Sequence, residues 1–377
     1  MKTRNIRSLI CGVICLSFSA FFFFGAAFVS GDLKNRTPFA IELYSPQGLE
    51  VSIAQASPLT ERGGFAAASP GEKVQAADGA KGRSVLAYCQ MTTANYGAYA
   101  NLQFSEGQYF SDDASAEHAA VIPESLSKEL FAGRSGKKTL YINGTEFAVC
   151  GVYKDDGVLV QLGSAKLPVI YRNGSENSDA PTEHLLIGAD AAKTAEQQVQ
   201  ETAVTMRAPL EGEIKDLGRL HQLGDSILLL GFFFAGLWFI LRLCIFSYQK
   251  LIAAYECKEH TSQRGFQAFL GAGALALALF GFALLLQLVR IPAVYLPENN
   301  IFDFPYYGRQ ILRGIQQMNT DCRIKDFSRI CAFYLCAETG FIILAVPLFW
   351  AGCQRLCLFQ TAAVSSMRQK NKIPLSR

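Results

Sequence analysis

Four long apolar runs, at 9–29, 227–246, 266–289 and 330–351, set the folding problem for this chain. Each is about the roughly 20 residues a helix needs to cross a bilayer. Charged residues make up 18% of the 377, against roughly 25% in soluble domains. The deficit sits in these runs, while the remainder has an ordinary composition. The formal net charge of +3 supplies no basic field for nucleic acid. An ordinary soluble enzyme, a disordered chain and a nucleic-acid binder are therefore excluded. The expectation is an α-helical membrane protein with four transmembrane helices and one large water-exposed region, 31–225, between helices 1 and 2.

Lys2, Arg4 and Arg7 give the first run a basic start, as in a signal peptide. Its apolar stretch is longer than the roughly 7–15 residues of a signal core, and Gly25-Ala26-Ala27 lies inside it. We read 1–30 as an uncleaved anchor. The segment 247–265 carries Lys250, Lys258 and Arg264, and the segment 353–377 carries Arg355, Arg368, Lys370, Lys372 and Arg377 with no acid. Region 31–225 has 17 basic and 25 acidic residues, a net of −8. Short basic segments stay in the cytoplasm. Both termini and 247–265 are thus expected inside the plasma (inner) membrane, with 31–225 and the loop 290–329 outside. The spans proper are 226–246, 266–289 and 330–352.

The outer region mixes strand and helix patterns, an α+β domain. Residues 138–142, Asn143-Gly144 and 145–153 read as a β-hairpin, since Asn-Gly supplies the positive φ angles of a tight turn. Residues 123–131 read as a short helix with Leu126, Leu130 and Phe131 on one side. Residues 158–162 and 167–171 read as strands, and 190–204 as a helix with Asp190 as N-cap. The stretch 57–82, rich in Gly, Ala, Ser and Pro, is expected to be irregular.

An ordered series then stands out: Glu106-Gly107-Gln108-Tyr109-Phe110, Asp112-Asp113, Ala120-Val121-Ile122-Pro123-Glu124-Ser125-Leu126, Leu130-Phe131-Ala132-Gly133, and Val149-Cys150-Gly151-Val152. It resembles the periplasmic core domain of MacB-like and FtsX-like ABC transporter permeases, whose layout of one span, an outer domain and three spans it also shares. The resemblance implies a permease-type subunit that forms a homo- or heterodimer with a second permease and binds a separate ABC ATPase. ATP would act only through that partner, with no cofactor in this chain. By the same resemblance 247–264 is the ATPase-contact segment, with Tyr248, Lys250, Tyr255, Lys258 and Arg264 as its candidates, and 100–155 the recognition region. That segment reads SYQKLIAAYECKEHTSQR and lacks the I-G-x-x-x-A-x-G-A signature of MacB and FtsX permeases.

Other motifs carry less. Gly133 to Lys138 fails as a phosphate loop, with Phe131 where a Gly and Lys138 where a Ser or Thr is required. His118, His184, His221 and His260 are scattered, and the Asp112-Asp113 and Asp155-Asp156 pairs read as turns. No catalytic, cofactor or metal residues are expected; Cys353 and Cys357 lack further ligands. The N-x-S/T triplets at Asn35, Asn143 and Asn173 read as chance.

Of eleven cysteines, Cys89 and Cys150 lie in the outer domain and Cys322 in the outer loop. In an oxidising compartment Cys89 and Cys150 could form a disulfide, or remain as two buried thiols. Glu338 is the one acid well inside a span and must face helices or water, or be protonated. Gly271, Gly273 and Gly281 make span three the candidate for close helix packing, within the protomer or across a dimer. Tyr307 to Met318 reads as an amphipathic helix, for the lipid bilayer surface or the underside of the outer domain, or as a plain connector packed on the span ends. The basic tail could rest on anionic lipid or dock a partner.

The function expected is transmission of an ATPase cycle to the outer domain, for export or extraction of substrate. The alternative is an ATP-uncoupled sensor or scaffold using the same domain, and a membrane enzyme would need a cluster such as Asp112, Asp113 and His118.

Overall fold

Helix α1 (Lys2–Arg36) precedes the outer region's strands, β1 (Ala40–Ser52), β2 (Phe65–Ala68), β3 (Glu72–Asp78), β4 (Ser84–Thr92), β5 (Phe104–Gly107) and β6 (Ala119–Pro123). Helix α2 (Glu124–Phe131), strands β7 (Thr139–Ile142), β8 (Thr145–Tyr153), β9 (Val169–Asn173) and β10 (Pro181–Gly188), helix α3 (Ala195–Met206) and strand β11 (Glu213–Asp216) follow. Then come α4 (Leu217–Glu256), α5 (Thr261–Leu286), α6 (Phe304–Met318) and α7 (Phe327–Lys370). This computed structural model describes residues 2–370 apart from 80–81, 111–117, 133–136, 156–158, 160–161, 163–165, 175–178, 191, 257–260, 298–302 and 319–325. The chain divides into two compact units, one of Gly31–Gln222 with Pro297–Leu335, the other of Met1–Ser30, Leu223–Leu296 and Cys336–Arg377.

In the first unit β4, β3, β7, β8, β6 and β9 are each paired with the next, and a β4–β9 pairing closes the circuit into a six-stranded barrel. Alternation explains it. In β3, Val74 and Ala76 point into the barrel while Lys73 and Gln75 stay exposed. Side chains from all six strands fill the interior, and α2 adds Leu126, Leu130 and Phe131. Each of these three large side chains contributes roughly 1.5–3 kcal/mol by leaving water. The α2 backbone sits near the β3–β4 turn, where Arg83 Nη1 donates to the Glu129 carbonyl at 3.4 Å. That end of the barrel is plugged.

The remaining strands extend the sheet in the order β11-β1-β10-β2, antiparallel throughout. One face buries Ile41, Leu43, Leu185 and Ile187 against Ala195, Val199 and Met206 of α3. Helix α3 begins at Thr194 rather than at Asp190. Thr194 and Gln197 form a reciprocal capping box, at 3.3 and 3.0 Å, which satisfies two N-terminal donors at once. Asp190 instead turns the chain locally by accepting from Ala192 N.

Several expectations hold. The 139–153 hairpin turns at Asn143 (φ 49°) and Gly144 (φ 86°), and the 167–171 pattern is β9. Most of 158–162 lies outside the described residues. The stretch 57–82 is a correction, since it holds two helical turns, β2 and β3. Strand β2 is Phe-Ala-Ala-Ala and every residue is buried, because alanines fit between packed layers on both faces. Its small residues look like a loop by composition and behave as a central strand.

In the second unit four helices are long and apolar enough to cross a membrane, by length and composition. Large apolar side chains face outward on them, such as Phe24 and Phe269, each 74% exposed. The expected loop 247–265 is mostly helical. Helix α4 runs on to Glu256 and α5 starts at Thr261, because Leu251, Ile252, Ala253 and Ala254 continue the helix without a breaker. The expected tail from 353 is likewise helix to Lys370.

Candidate functional site

The strand sequence Ala40-Ile41-Glu42-Leu43-Tyr44 places a carboxylate in an apolar setting, and Glu42 is 2% exposed. Its face of the sheet is the one opposite α3. There Glu42 Oε1 meets His184 Nε2 at 2.8 Å and accepts the Phe327 N–H at 3.1 Å, while Oε2 accepts the Ser328 N–H at 2.9 Å. An ionised carboxylate only accepts, so His184 donates from Nε2; its Nδ1 lies 3.2 Å from the Tyr96 hydroxyl. The Phe327 ring stacks on His184 with centroids 6.2 Å apart. Asp326 completes the helix start by accepting from Arg329 N at 2.9 Å and from Ser328 Oγ at 2.7 Å.

Thus the first turn of α7 is held by a strand of the outer domain. The donors at a helix N-terminus have no partner inside the helix, and negative charge is stabilised there. Glu42 and Asp326 answer both needs. Burial works to lower the pKa of Lys215, but the same two carboxylates and Glu213 outweigh it and hold that pKa above the usual lysine value.

The end of α1 is tied in as well. Thr37 Oγ1 donates to the Leu33 carbonyl at 2.7 Å, so at 2.6 Å from His221 Nε2 it must accept the imidazole N–H. Asp32 is hydrogen-bonded to the Tyr334 hydroxyl and paired with Arg36 at 3.3 Å. His184 and His221 read as scattered in the sequence; in the fold each holds a helix end. The sequence carried no signal for Glu42, since Ile41, Glu42 and Leu43 alternate as in a strand whose acid faces water.

In the membrane unit, small residues let helices approach. Gly12 and Gly352 sit against each other, so that a Cβ on Gly352 would lie 3.0 Å from the Gly12 carbonyl oxygen. Ser19 Oγ donates to the Ala345 carbonyl at 2.8 Å. Gly12, Ser19 and Ala26 repeat every seven residues in α1, as do Glu338, Ala345 and Gly352 in α7, and all six are buried. This α1–α7 seam was not anticipated, because its small residues are spaced too widely to form a visible cluster. Glu338 is fully buried on it. Replacing Gly352 by Leu is expected to destabilise the helix pair by about 1–3 kcal/mol, as overpacking does. Thermal inactivation of the purified chain in detergent checks this, with Gly340→Leu, an open position, as control.

Span three splits its glycines. Gly271 packs on Leu251, with Ser247 Oγ donating to its carbonyl at 2.6 Å, and Gly281 packs on Ile240, so both serve α4–α5 contact. Gly273 faces open space, with nothing within 4 Å of where a Cβ would stand. Near the α4–α5 turn Tyr248, Tyr255 and Arg264 are exposed, whereas Lys250 lies half-buried over the Phe246 ring at 5.4 Å. Lys258 lies outside the described residues, as do Asp112, Asp113 and Cys322. In α6, Leu312 and Ile315 are exposed beside Arg309 and Arg313, in keeping with its amphipathic pattern. Among the described residues no group of His, Cys, Asp or Glu could hold a metal ion.

The candidate Cys89–Cys150 disulfide is corrected, because both are free thiols. They lie on β4 and β8, three strands apart in either direction around the barrel. At about 4.8 Å per strand this exceeds the roughly 7 Å Cα limit of a bridge. Cys150 is the extra residue of a bulge, where Ala120 pairs Val149 and Val121 pairs Gly151, and its Sγ donates to the Ala120 carbonyl. Burial pushes the Cys89 thiol up to about 11, against about 8.5 for a free thiol. The fold favours the protonated form, so this contribution to stability is full below about 8.5 and is lost as pH rises through about 11. At pH 8, iodoacetamide should label Cys89 far more slowly in the folded chain than in urea, as read by mass spectrometry of its peptide.

The family model of the MacB-like periplasmic core domain matches residues 9–204. No curated protein sequence matches the chain. Among solved structures, the periplasmic region of MacB from Actinobacillus actinomycetemcomitans is 14% identical, with a TM-score of 0.39, covering 50% of this chain and 94% of that one. The extracellular domain of the noncanonic ABC-type transporter YknZ from Gram-positive bacteria is 16% identical, with a TM-score of 0.35, covering 47% and 98%.

Proposed function

The chain belongs to the family built on the MacB-like periplasmic core domain, a MacB-like ABC-transporter permease, and from that premise we propose that it carries the cycle of a separate ATPase to its outer domain. The observation that supports this most is the Glu42 clamp. The start of α7 and the end of α1 are hydrogen-bonded into the outer domain, so movement of either helix end acts directly on its sheet. The chain itself is not the enzyme and binds ATP only through its partner. Both termini and the α4–α5 turn lie in the cytoplasm of a plasma (inner) membrane protein, and two permease chains, identical or different, work as a pair. The exposed Tyr248, Tyr255 and Arg264 are the ATPase contact, and α6 lies on the outer lipid surface. Substrate is exported or extracted from the outer side.

The tagged chain, purified from its native membrane in mild detergent, is expected to bring an ABC ATPase in stoichiometric amount. Combined Tyr248→Ala, Tyr255→Ala and Arg264→Glu changes should cut that recovery at least tenfold while leaving the chain folded. A folded parent that brings no ATPase would instead support the ATP-uncoupled sensor or scaffold, the reading favoured by the missing cytoplasmic signature in 247–264.

A further inference from the structure

One end of the six-stranded barrel is filled by α2; the other end is open. There a cavity of ≈ 220 Å³ is lined by Glu72, Met91 and Arg172 and by the core side chains Val74, Cys89 and Ile142, with Ser69, Asn143 and Thr145 adding polar groups. We propose that this barrel mouth binds a small molecule bearing one carboxylate and a short apolar body, the carboxylate seated on Arg172.

The arginine carries the argument. Arg172 lies two residues beyond Ile170 on β9, so it shares the strand face that lines the barrel. Its guanidinium carbon sits 4.9 Å from the centroid of Phe147, an interior side chain, which fixes the planar group against an apolar surface. Its Nε–H is buried and meets no acceptor among the described residues. A buried donor left in this way costs about 1–3 kcal/mol and calls for an explanation. A fixed guanidinium fork is the geometry that takes a carboxylate through two parallel hydrogen bonds.

The rest of the cavity narrows the class. The core side chains that line it, Val74, Ile142 and Cys89, supply an apolar surface, and the Cys89 thiol is protonated because burial raises it to about 11. Glu72 stands exposed at the rim and disfavours a second negative charge on the ligand. A monoanion with a branched or straight aliphatic tail satisfies each of these conditions; a phosphate ester or dicarboxylate does not. The inference is independent of the ATPase reading.

Met91, one of five methionines, provides the probe. The full chain in detergent, labelled with ¹³C at the methionine methyls, is titrated with 4-methylpentanoate, its neutral amide serving as control. The Met91 signal is assigned by Met91→Leu. A saturable shift with the acid and none with the amide is expected, weakened at least tenfold by Arg172→Gln. Glu72→Gln, an exposed change that leaves the barrel intact, should tighten binding several-fold. No saturable shift, an equal response to the amide, or undiminished binding by folded Arg172→Gln protein would overturn the proposal. Should Arg172→Gln fail to fold, Glu72→Gln decides alone, since unchanged or weaker binding would overturn it.

Discussion

Glu42→Ala should destabilise the outer domain by about 3–5 kcal/mol, the range for removing one partner of a buried ionic contact. The substitution strands three donors at once: the N–H groups of Phe327 and Ser328 and the Nε2–H of His184, all buried. None can be rehydrated without opening the sheet face on which Phe327 and His184 stack. Glu42→Gln keeps an oxygen acceptor but presents an amide N–H₂ to a cluster made of donors, so it should recover less than half of the loss. A double change, Glu42→Leu with His184→Leu, removes both polar partners and should be milder than Glu42→Ala, since apolar replacement of a whole buried pair is often tolerated. Protease resistance of the purified chain against temperature measures all three. A Glu42→Ala protein as resistant as the parent would mean that the clamp does not hold α7. Fully resistant Glu42→Ala protein that no longer couples ATP hydrolysis to transport would place Glu42 in the motion rather than in the fold.

What the sequence made legible follows how local each cause is. Apolar runs long enough for lipid are local, and all four recur as helices. The Asn143-Gly144 turn and the α2 stripe are local as well, and both stand as expected. Barrel closure is not local. It needs β4 to pair in parallel with β9, some 80 residues away, and neither strand carries a mark of its partner. The choice between a Cys89–Cys150 bridge and two thiols was open for the same reason, since two cysteines in strands say nothing about how many strands separate them. Helix ends were misplaced where a polar sequence still favours helix, as at 247–256. The clamp is not legible because His184, Glu42 and Phe327 come from three distant segments, and the alternation of β1 reads Glu42 as a water-facing acid. The α1–α7 seam shows a further limit. Gly12 and Gly352 look ordinary alone, and their seven-residue repeats acquire meaning only when the two helices are seen to face one another.

The second large effect is expected at Gly107, where two glycines of the family-like series turn out to face one another. Gly107 ends β5 at a φ of 66°, and a Cβ there would lie 2.0 Å from the Cys150 carbonyl oxygen. Gly151 across the pair is equally confined, its Cβ position being 2.3 Å from the Gln108 carbonyl oxygen. The bulge at Cys150 thrusts its carbonyl toward β5, and only paired glycines let the strands stay in register there. Gly107→Ala should therefore lose about 3 kcal/mol or more, combining left-handed backbone strain with a clash against backbone that cannot rotate away. Gly144→Ala separates the two causes. Gly144 has a φ of 86° but open space around its Cβ position, so it carries the conformational strain alone, about 1–2 kcal/mol. Thermal midpoints of the two variants in detergent should differ by several degrees, Gly107→Ala being the lower. Equal losses would show that β5 moves aside without penalty and that the bulge does not fix its register. A larger loss at Gly107 ties the Gly107 and Val149-Cys150-Gly151-Val152 segments to one physical requirement, the close crossing of β5 over a bulged β8.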